Sequence, residues 1–356
     1  MQNAITANVL EREYETMLHW FLGRKPPAPW SPSLRRNEQH TLEARAKKQT
    51  MVGLYSSGST GSPRFMWRDK EDLKKDCSSQ DCIKGWTWAT CYAPWTFAGT
   101  HLACQAARSG GRVIHLSNEW TSNQLRLNHL QPEAIAATPT FMDLLIRTRE
   151  KSIPSEWQPR QITLGGEILK TTTGRRILAA FPGSRLTVIY AKAETGILAK
   201  TDRGDGWYPL SSLEKRCSSW KLVDHTLHIQ RNSAWINCMD LCEVKDQHFR
   251  VFGRSNRLIQ IGGEMVSLDQ VETIAESHPE VRYAYATSKS NPIVGQVIAL
   301  TIEVTGSNHT QELEEHVLRY LRGRLPKPAW PRWIQWGPLP ELKHGKRTAP
   351  SNTKRI

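Results

Sequence analysis

The pattern of hydrophobic and polar positions gives the chain two textures. Between about Met51 and Ile197, short apolar runs alternate with helical stretches, and most of the runs end in a loop rich in glycine or serine. Met51–Tyr55 is such a run and enters a Ser/Gly loop. Residues 112–116 follow Gly110-Gly111, and Ala134–Ala137 leads to Pro139 and a helix over residues 141–147. Residues 162–164 run into Gly165-Gly166, and residues 186–190 into another loop. This alternation predicts α/β layering with functional loops at strand ends. Ahead of it, residues 10–22 read as a helix, 23–33 as a Pro-rich connector and 41–48 as a polar helix.

After about Arg254 the texture changes. Residues 250–253 and Leu258–Ile261 read as a strand pair. Residues 268–278 form a helix with Leu268, Val271, Ile274 and Ala275 on one face. Strands over 281–287 and 296–304 follow, then a helix over 311–325 that clusters Leu313, Val317, Leu318, Leu321 and Leu325. The expected architecture is α/β: a large layered α/β N-terminal domain over residues 1–254, and a small α+β C-terminal domain over 255–356.

Composition changes this picture in three ways. The formal net charge is +14, concentrated in residues 24–48 and 319–356. The second stretch holds ten Lys/Arg against one acid, Glu341, which points to an acidic partner or a polyphosphate. The seven cysteines fit no zinc or disulfide spacing, as Cys77 to Cys82 and Cys238 to Cys242 illustrate, so reduced thiols are expected. Charges occupy the N-terminus where a signal peptide needs an apolar core, and no run of 18 apolar residues occurs. No membrane association is expected, and the cytoplasm is the expected location. Fourteen tryptophans are read mainly as core.

The candidate chemistry starts at Tyr55-Ser56-Ser57-Gly58-Ser59-Thr60-Gly61-Ser62-Pro63-Arg64. Glycines let backbone N–H groups converge on an anion, hydroxyls add donors, and Arg64 supplies a cation. The loop is not a Walker A sequence, because no Gly-Lys-Ser/Thr follows at the required spacing.

This segment resembles the phosphate-binding loop of the adenylate-forming superfamily, which holds acyl-CoA synthetases, peptide-synthetase adenylation domains and luciferases. The family pattern Ser/Thr-Ser-Gly-Ser/Thr-Thr-Gly-x-Pro-Lys is matched from Ser56 to Pro63, with Arg64 replacing Lys. Further motifs follow in the family order. Gly165-Gly166-Glu167 resembles the adenine-pocket turn. Tyr190-Ala191-Lys192-Ala193-Glu194 stands where the family has Tyr-Gly-x-Thr-Glu, and residues 235–240, ending in Asp240, resemble Trp-x-x-Thr-Gly-Asp. Gly253-Arg254 matches the family Gly-Arg, Asn256 its hinge position, and Gly345-Lys346 after Leu339-Pro340 its C-terminal lysine motif. Each motif is weak alone; their order carries the resemblance. Only about fifty residues precede the phosphate loop, so the chain resembles a compact, N-terminally trimmed member.

The resemblance implies an ATP-dependent ligase that converts a carboxylic acid to an acyl- or aryl-adenylate and passes it to a thiol. That thiol would be coenzyme A or the phosphopantetheine of an acidic acyl carrier protein; nucleic acid is not an expected partner. Ser56, Ser57, Gly58, Ser59, Thr60, Gly61 and Arg64 would hold phosphates, with Thr60 and Glu194 organising Mg²⁺. Gly165, Gly166, Glu167 and Tyr190 would hold adenine, Asp240 the ribose, and Arg254 would complete the nucleotide contacts. Lys346 would bridge the carboxylate and α-phosphate oxygens from a domain rotating about Asn256. Residues 92–99 and 138–142 are expected to line the acyl pocket. The motifs at 190–194 and 235–240 each lose a Thr and a Gly. Two alternatives stay open: a non-catalytic nucleotide- or partner-binding descendant, and a ligase with a non-thiol acceptor.

Overall fold

The computed structural model describes residues 2–22, 51–55, 65–77, 85–117, 120–151, 157–305 and 310–337. The chain divides into two compact units between Gly206 and Trp207. The change of sequence texture at Arg254 therefore falls inside the second unit.

The first unit opens with α1 (Gln2–Phe21), the antiparallel hairpin β1 (Met51–Tyr55) and β2 (Phe65–Asp69), and α2 (Lys70–Asp76). Asp69 caps α2 by accepting from the backbone N–H groups of Glu71 and Asp72. A six-stranded sheet follows, built from β3 (Thr87–Thr90), β4 (Arg112–His115), β5 (Ala134–Ala137), β6 (Gln161–Gly165), β7 (Arg185–Lys192) and β8 (Gly196–Thr201). Its order is β4-β3-β5-β6-β7-β8; all pairings are parallel except β7 with β8. Parallel neighbours need crossover connections. Four helices supply them: α3 (Phe97–Ser109), α4 (Trp120–Leu130), α5 (Pro139–Lys151) and α6 (Thr171–Ala180). All four residues of β5 are buried, as a central parallel strand requires. The α/β layering expected from the sequence is observed.

Helix α1 runs further than the expected 10–22 and buries Leu10, Tyr14, Met17, Trp20 and Phe21. It also engages the end of the β4 edge. Glu11 accepts from the His115 N–H at 3.0 Å, while Arg126, paired with Glu11, donates to the His115 carbonyl at 2.8 Å. The outward N–H and carbonyl of the last residue of this edge strand are thereby both satisfied. On the helical layer, Asp143 is 1% exposed and is neutralised by Arg147 at 2.9 Å and Arg176 at 2.6 Å, which joins α5 to α6.

The second unit begins with β9 (Trp207–Pro209) and α7 (Leu210–Glu214). An antiparallel meander of β10 (Ser219–Val223), β11 (Thr226–Arg231), β12 (Ala234–Lys245) and β13 (His248–Arg254) then forms, with β9 completing a five-stranded sheet on β13. Its three hairpins turn on two residues each: Asp224-His225, Asn232-Ser233 and Asp246-Gln247, all with φ between 47° and 64°. Positive φ at both central residues matches the right-handed twist of the flanking strands.

An α+β module completes the unit: β14 (Leu258–Ile261), β15 (Glu264–Ser267), α8 (Leu268–Glu276), β16 (Val281–Asn291), β17 (Gly295–Val304), α9 (Gln311–Arg322) and β18 (Trp333–Trp336). Its core packs Ile259, Leu268, Val271, Ile298, Val317 and Leu321. One expectation is corrected: residues 250–253 do not pair with Leu258–Ile261. β13 lies between β12 and β9, whereas β14 pairs with β15. The physical reason is where the chain reverses. It does so at Gly262-Gly263, both at positive φ, and not at the short 3-10 turn Ser255–Arg257.

Of the remaining expectations, residues 23–33 and 41–48 lie outside the described residues. Among the described residues, Cys77, Cys91, Cys104, Cys217, Cys238 and Cys242 form no disulfide. Among the described residues no helix is long and apolar enough to cross a membrane.

Glycine at position 174 is forced by packing. A Cβ there would lie 1.8 Å from the Gly204 carbonyl oxygen, which is backbone and has no rotamer to change. Gly174→Ala is expected to destabilise the protein by about 3 kcal/mol, at the upper end of overpacking costs, read as a lower urea midpoint with an unchanged m-value.

Candidate functional site

In a parallel sheet all strands point the same way, so the segments that leave β3, β5, β6 and β7 emerge at one edge. The sequence places its motifs there. Cys91-Tyr92 leaves β3, Thr138 leaves β5, Gly166-Glu167 leaves β6, and Ala193-Glu194 leaves β7. Ligands of open α/β sheets bind outside the carboxyl ends of the strands.

Side chains tie these strand ends together. Tyr92 donates its hydroxyl to the Gly165 carbonyl at 2.9 Å, and Tyr14 of α1 donates to the Tyr92 carbonyl at 3.0 Å. Burial, then the neighbouring Cys91 and Glu167, push the Tyr92 phenol well above its ordinary range, so it stays a donor. Glu167 accepts from the Thr140 N–H at 3.2 Å, which caps the start of α5 from another strand end. Thr138 caps the same helix through its hydroxyl. Gly166 adopts φ +81, so the turn after β6 needs glycine at that point.

The hairpin β1–β2 brackets residues 56–64, with Tyr55 registered opposite Phe65. Tyr55 donates its N–H to the Trp95 carbonyl at 2.9 Å and forms a parallel bridge with Thr96. The two ends of the Ser/Gly loop are thereby fixed beside the segment that leaves β3. Ser56, Ser57, Gly58, Ser59, Thr60, Gly61 and Arg64 themselves lie outside the described residues.

At the far strand, Tyr190 is buried in β7 and Glu194 is exposed in the turn to β8. Ala191 occupies the motif's glycine position within β7 without a positive φ, so its Cβ is tolerated. Arg68 of β2 donates to the Glu194 carbonyl at 3.0 Å. Of the expected acyl-pocket residues, Phe141 and Met142 are fully buried in the core, whereas Trp95 and Phe97 are half-buried.

Two motif residues belong to the second unit. Asp240 of β12 is 5% exposed and faces Arg254 of β13, with Nε–Oδ1 at 3.9 Å. The Arg254 N–H donates to Asp269 at 2.8 Å, and Arg257 pairs with both Asp269 and Glu272 on α8. Met239, at the motif's other lost glycine, has φ 58. The left-handed conformation is thus adopted here by a residue that carries a side chain. Asn237 supports it by accepting from the Met239 N–H at 2.7 Å, and Ser255 donates to the Met239 carbonyl at 3.3 Å. Lys346 lies outside the described residues. Among the described residues no three His, Cys, Asp or Glu side chains stand together as a metal cluster.

Reading the sequence missed Tyr14, Arg68 and Asp76. Arg68 and Tyr14 sit in stretches without motif character, and only the fold brings them to the strand ends. Tyr92 was singled out as pocket lining; its hydrogen bond to Gly165 joins two candidate motifs.

Comparison with known proteins gives a consistent picture. The family described as AMP-binding enzyme matches residues 6–232. An acetyl-coenzyme A synthetase of Xylella fastidiosa (strain 9a5c) is 29% identical over 103 residues, which is 28% of this chain and 16% of that protein. The medium-chain fatty-acid–CoA ligase of Escherichia coli (strain K12) is 29% identical over 101 residues, 28% of this chain and 18% of that protein. The matched stretch therefore spans less than a fifth of these curated relatives. Among solved structures, the anthranilate CoA ligase AuaEII in complex with anthranoyl-AMP aligns with TM-score 0.67 at 16% identity, covering 83% of this chain and 65% of that one. The amide bond synthetase McbA from Marinactinospora thermotolerans aligns with TM-score 0.65 at 15% identity, covering 83% and 66%. These structural likenesses establish the fold.

The Met239 backbone generates a prediction. A non-glycine residue in the left-handed region costs about 1–2 kcal/mol, partly offset by the extra freedom glycine has when unfolded. Met239→Gly is expected to stabilise the protein by up to about 1 kcal/mol, measured by urea unfolding.

Proposed function

The chain belongs to the AMP-binding enzyme family, and from that premise we propose that it activates a small carboxylic acid with ATP to an acyl- or aryl-adenylate and transfers the acyl group to a thiol. The observation that carries this reading is the convergence of Tyr92, Thr140, Gly165, Glu167 and the Glu194 turn at one sheet edge, with the hairpin that brackets residues 56–64 anchored beside them.

In the first step a carboxylate oxygen attacks the α-phosphorus of ATP. The new O–P bond forms as the bond to the pyrophosphate oxygen breaks, and pyrophosphate leaves. The protein's task is to position two anions and offset their charge. Residues 56–61 and Arg64 are assigned to the phosphates, Gly165, Gly166, Glu167 and Tyr190 to the adenine, and Asp240 and Arg254 to the rest of the nucleotide. Lys346 is assigned to the oxygens between which the bond forms. In the second step a thiol attacks the acyl carbon, the C–S bond forms, AMP leaves, and the thiol proton passes to solvent. Coenzyme A or an acidic carrier protein fits the basic stretch from Arg319 onward.

Magnesium, when bound, supplies charge neutralisation at the phosphates, and Thr60 and Glu194 are the residues that would hold it. Glu194 is an exposed carboxylate that joins no metal cluster among the described residues, which suits an ion that keeps most of its water and phosphate ligands. The α+β module is the part assigned to move between steps. Arg257 is paired with Asp269 and Glu272 on α8, so a rotation near Asn256 would carry Arg257 with the module and break the Arg254 N–H bond to Asp269. The cytoplasm is the assigned location.

A thiol acceptor is the first reading. Acid-dependent ATP–pyrophosphate exchange over a panel of aryl, acyl and amino acids is expected to reveal the substrate class. Lys346→Ala is expected to reduce exchange at least about a hundredfold, the scale of losing a transition-state electrostatic contact, with unchanged thermal unfolding. Full exchange in that variant removes the assigned role. ATP binding without exchange on any acid favours the non-catalytic alternative.

A further inference from the structure

The turn that carries Glu194 is held by groups that no motif includes. Arg68 lies on β2, four residues past Arg64, and donates through Nη1 to the Glu194 carbonyl at 3.0 Å. Its Nη2 lies 4.0 Å from Asp76 at the end of α2, with side-chain exposures of 13% and 8%. Asp76 in turn accepts from the Ile197 N–H at 3.4 Å, two residues beyond Thr195. The turn is thus gripped on both sides, at Glu194 by the guanidinium and at Ile197 by the carboxylate. Gly196 between them adopts φ +74, and a Cβ there would lie 2.5 Å from Asp76 Oδ2 and 2.9 Å from Arg68 Nη2. Backbone conformation and space both require glycine at that point.

Arg68 Nε is buried with no hydrogen-bond partner among the described residues, and a buried donor left idle is a cost. The guanidinium also lies 5.9 Å from the centre of the Phe97 ring, at the start of α3. Its position is therefore set from β2, α2 and α3 together.

We propose that Arg68, locked by Asp76, is a positioning residue that sets the Glu194 carboxylate relative to the hairpin bracketing residues 56–64. The same strand, β2, forms the descending side of that hairpin and presents the donor to Glu194. The hairpin end at Phe65 and the Glu194 turn are then spaced by one short strand. Residues that orient a metal-binding group tune its affinity without touching the ion. This inference rests on the assignment of Glu194 to Mg²⁺.

The test uses the full chain and Mn²⁺ as the probe, followed by electron paramagnetic resonance in the presence of ATP. Wild type is expected to bind the Mn²⁺–ATP complex more tightly than Glu194→Gln does. Arg68→Met and Asp76→Asn are each expected to weaken Mn²⁺ binding by about 10- to 100-fold. Arg68→Lys, which keeps a charge and one donor, is expected to recover part of the loss. In a Glu194→Gln background, Arg68→Met is expected to add less than about threefold, because residues acting through one group are not additive. Thermal unfolding of each variant identifies loss of fold, in which case Arg68→Lys and Asp76→Asn carry the test. Mn²⁺ affinity unchanged within twofold in folded Arg68→Met and Asp76→Asn overturns the positioning role while leaving the assignment of Glu194 intact. Equal Mn²⁺ binding in wild type and Glu194→Gln overturns the assignment of Glu194 itself, and the positioning role with it.

Discussion

Parallel strand pairing is the constraint on which the first unit depends. Neighbouring parallel strands cannot be joined by a hairpin, so every connection between β3, β4, β5, β6 and β7 returns through a helix. The outcome is that successive carboxyl ends lie side by side. The register sets Ala137 beside Leu164, and Gly165 beside Ile189. The segments that leave these strands start as neighbours, although scores of residues separate them in sequence. Tyr92 to Gly165 and Glu167 to Thr140 convert that nearness into fixed geometry. Each such bond spans two strand ends, so a shift of one strand would break it.

The helical layer supports the same edge. Tyr14 on α1 reaches the backbone of Tyr92, and Glu11 on the same helix satisfies the edge strand β4. Residues outside the candidate motifs thus brace the strand-end segment and the edge strand. A hydroxyl buried at full depth contributes only when it has a partner, and both tyrosines have one.

Two glycine positions of the motifs are occupied by other residues, and the structure separates them. Ala191 stands in β7 at a register shift of its pairing with β8 but without a positive φ, so the backbone does not demand glycine there. Met239 adopts the left-handed conformation and carries its strain, supported by Asn237 and Ser255. Losing glycine at one motif is neutral for the backbone, and at the other it is paid in local stability.

Much of this protein was legible in the sequence. The alternation of apolar runs and helices determined the α/β layering, because a two-sided buried strand and an amphipathic helix leave distinct periods. Two of the ordered motifs fall at the carboxyl ends of β6 and β7. The meander over Ser219–Arg254 was not legible, because its turns use Asp-His, Asn-Ser and Asp-Gln, which adopt positive φ without glycine. The partner of β13 was likewise decided by tertiary structure, since residues 250–253 carry the same strand signal whichever neighbour they take. So were the roles of Tyr14, Arg68 and Asp76. Their side chains are ordinary in composition, and they matter only because folding brings residues 78 and more than a hundred positions apart within hydrogen-bond distance. Sequence periodicity records which face of an element is buried; it does not record which distant backbone group a buried polar side chain will meet.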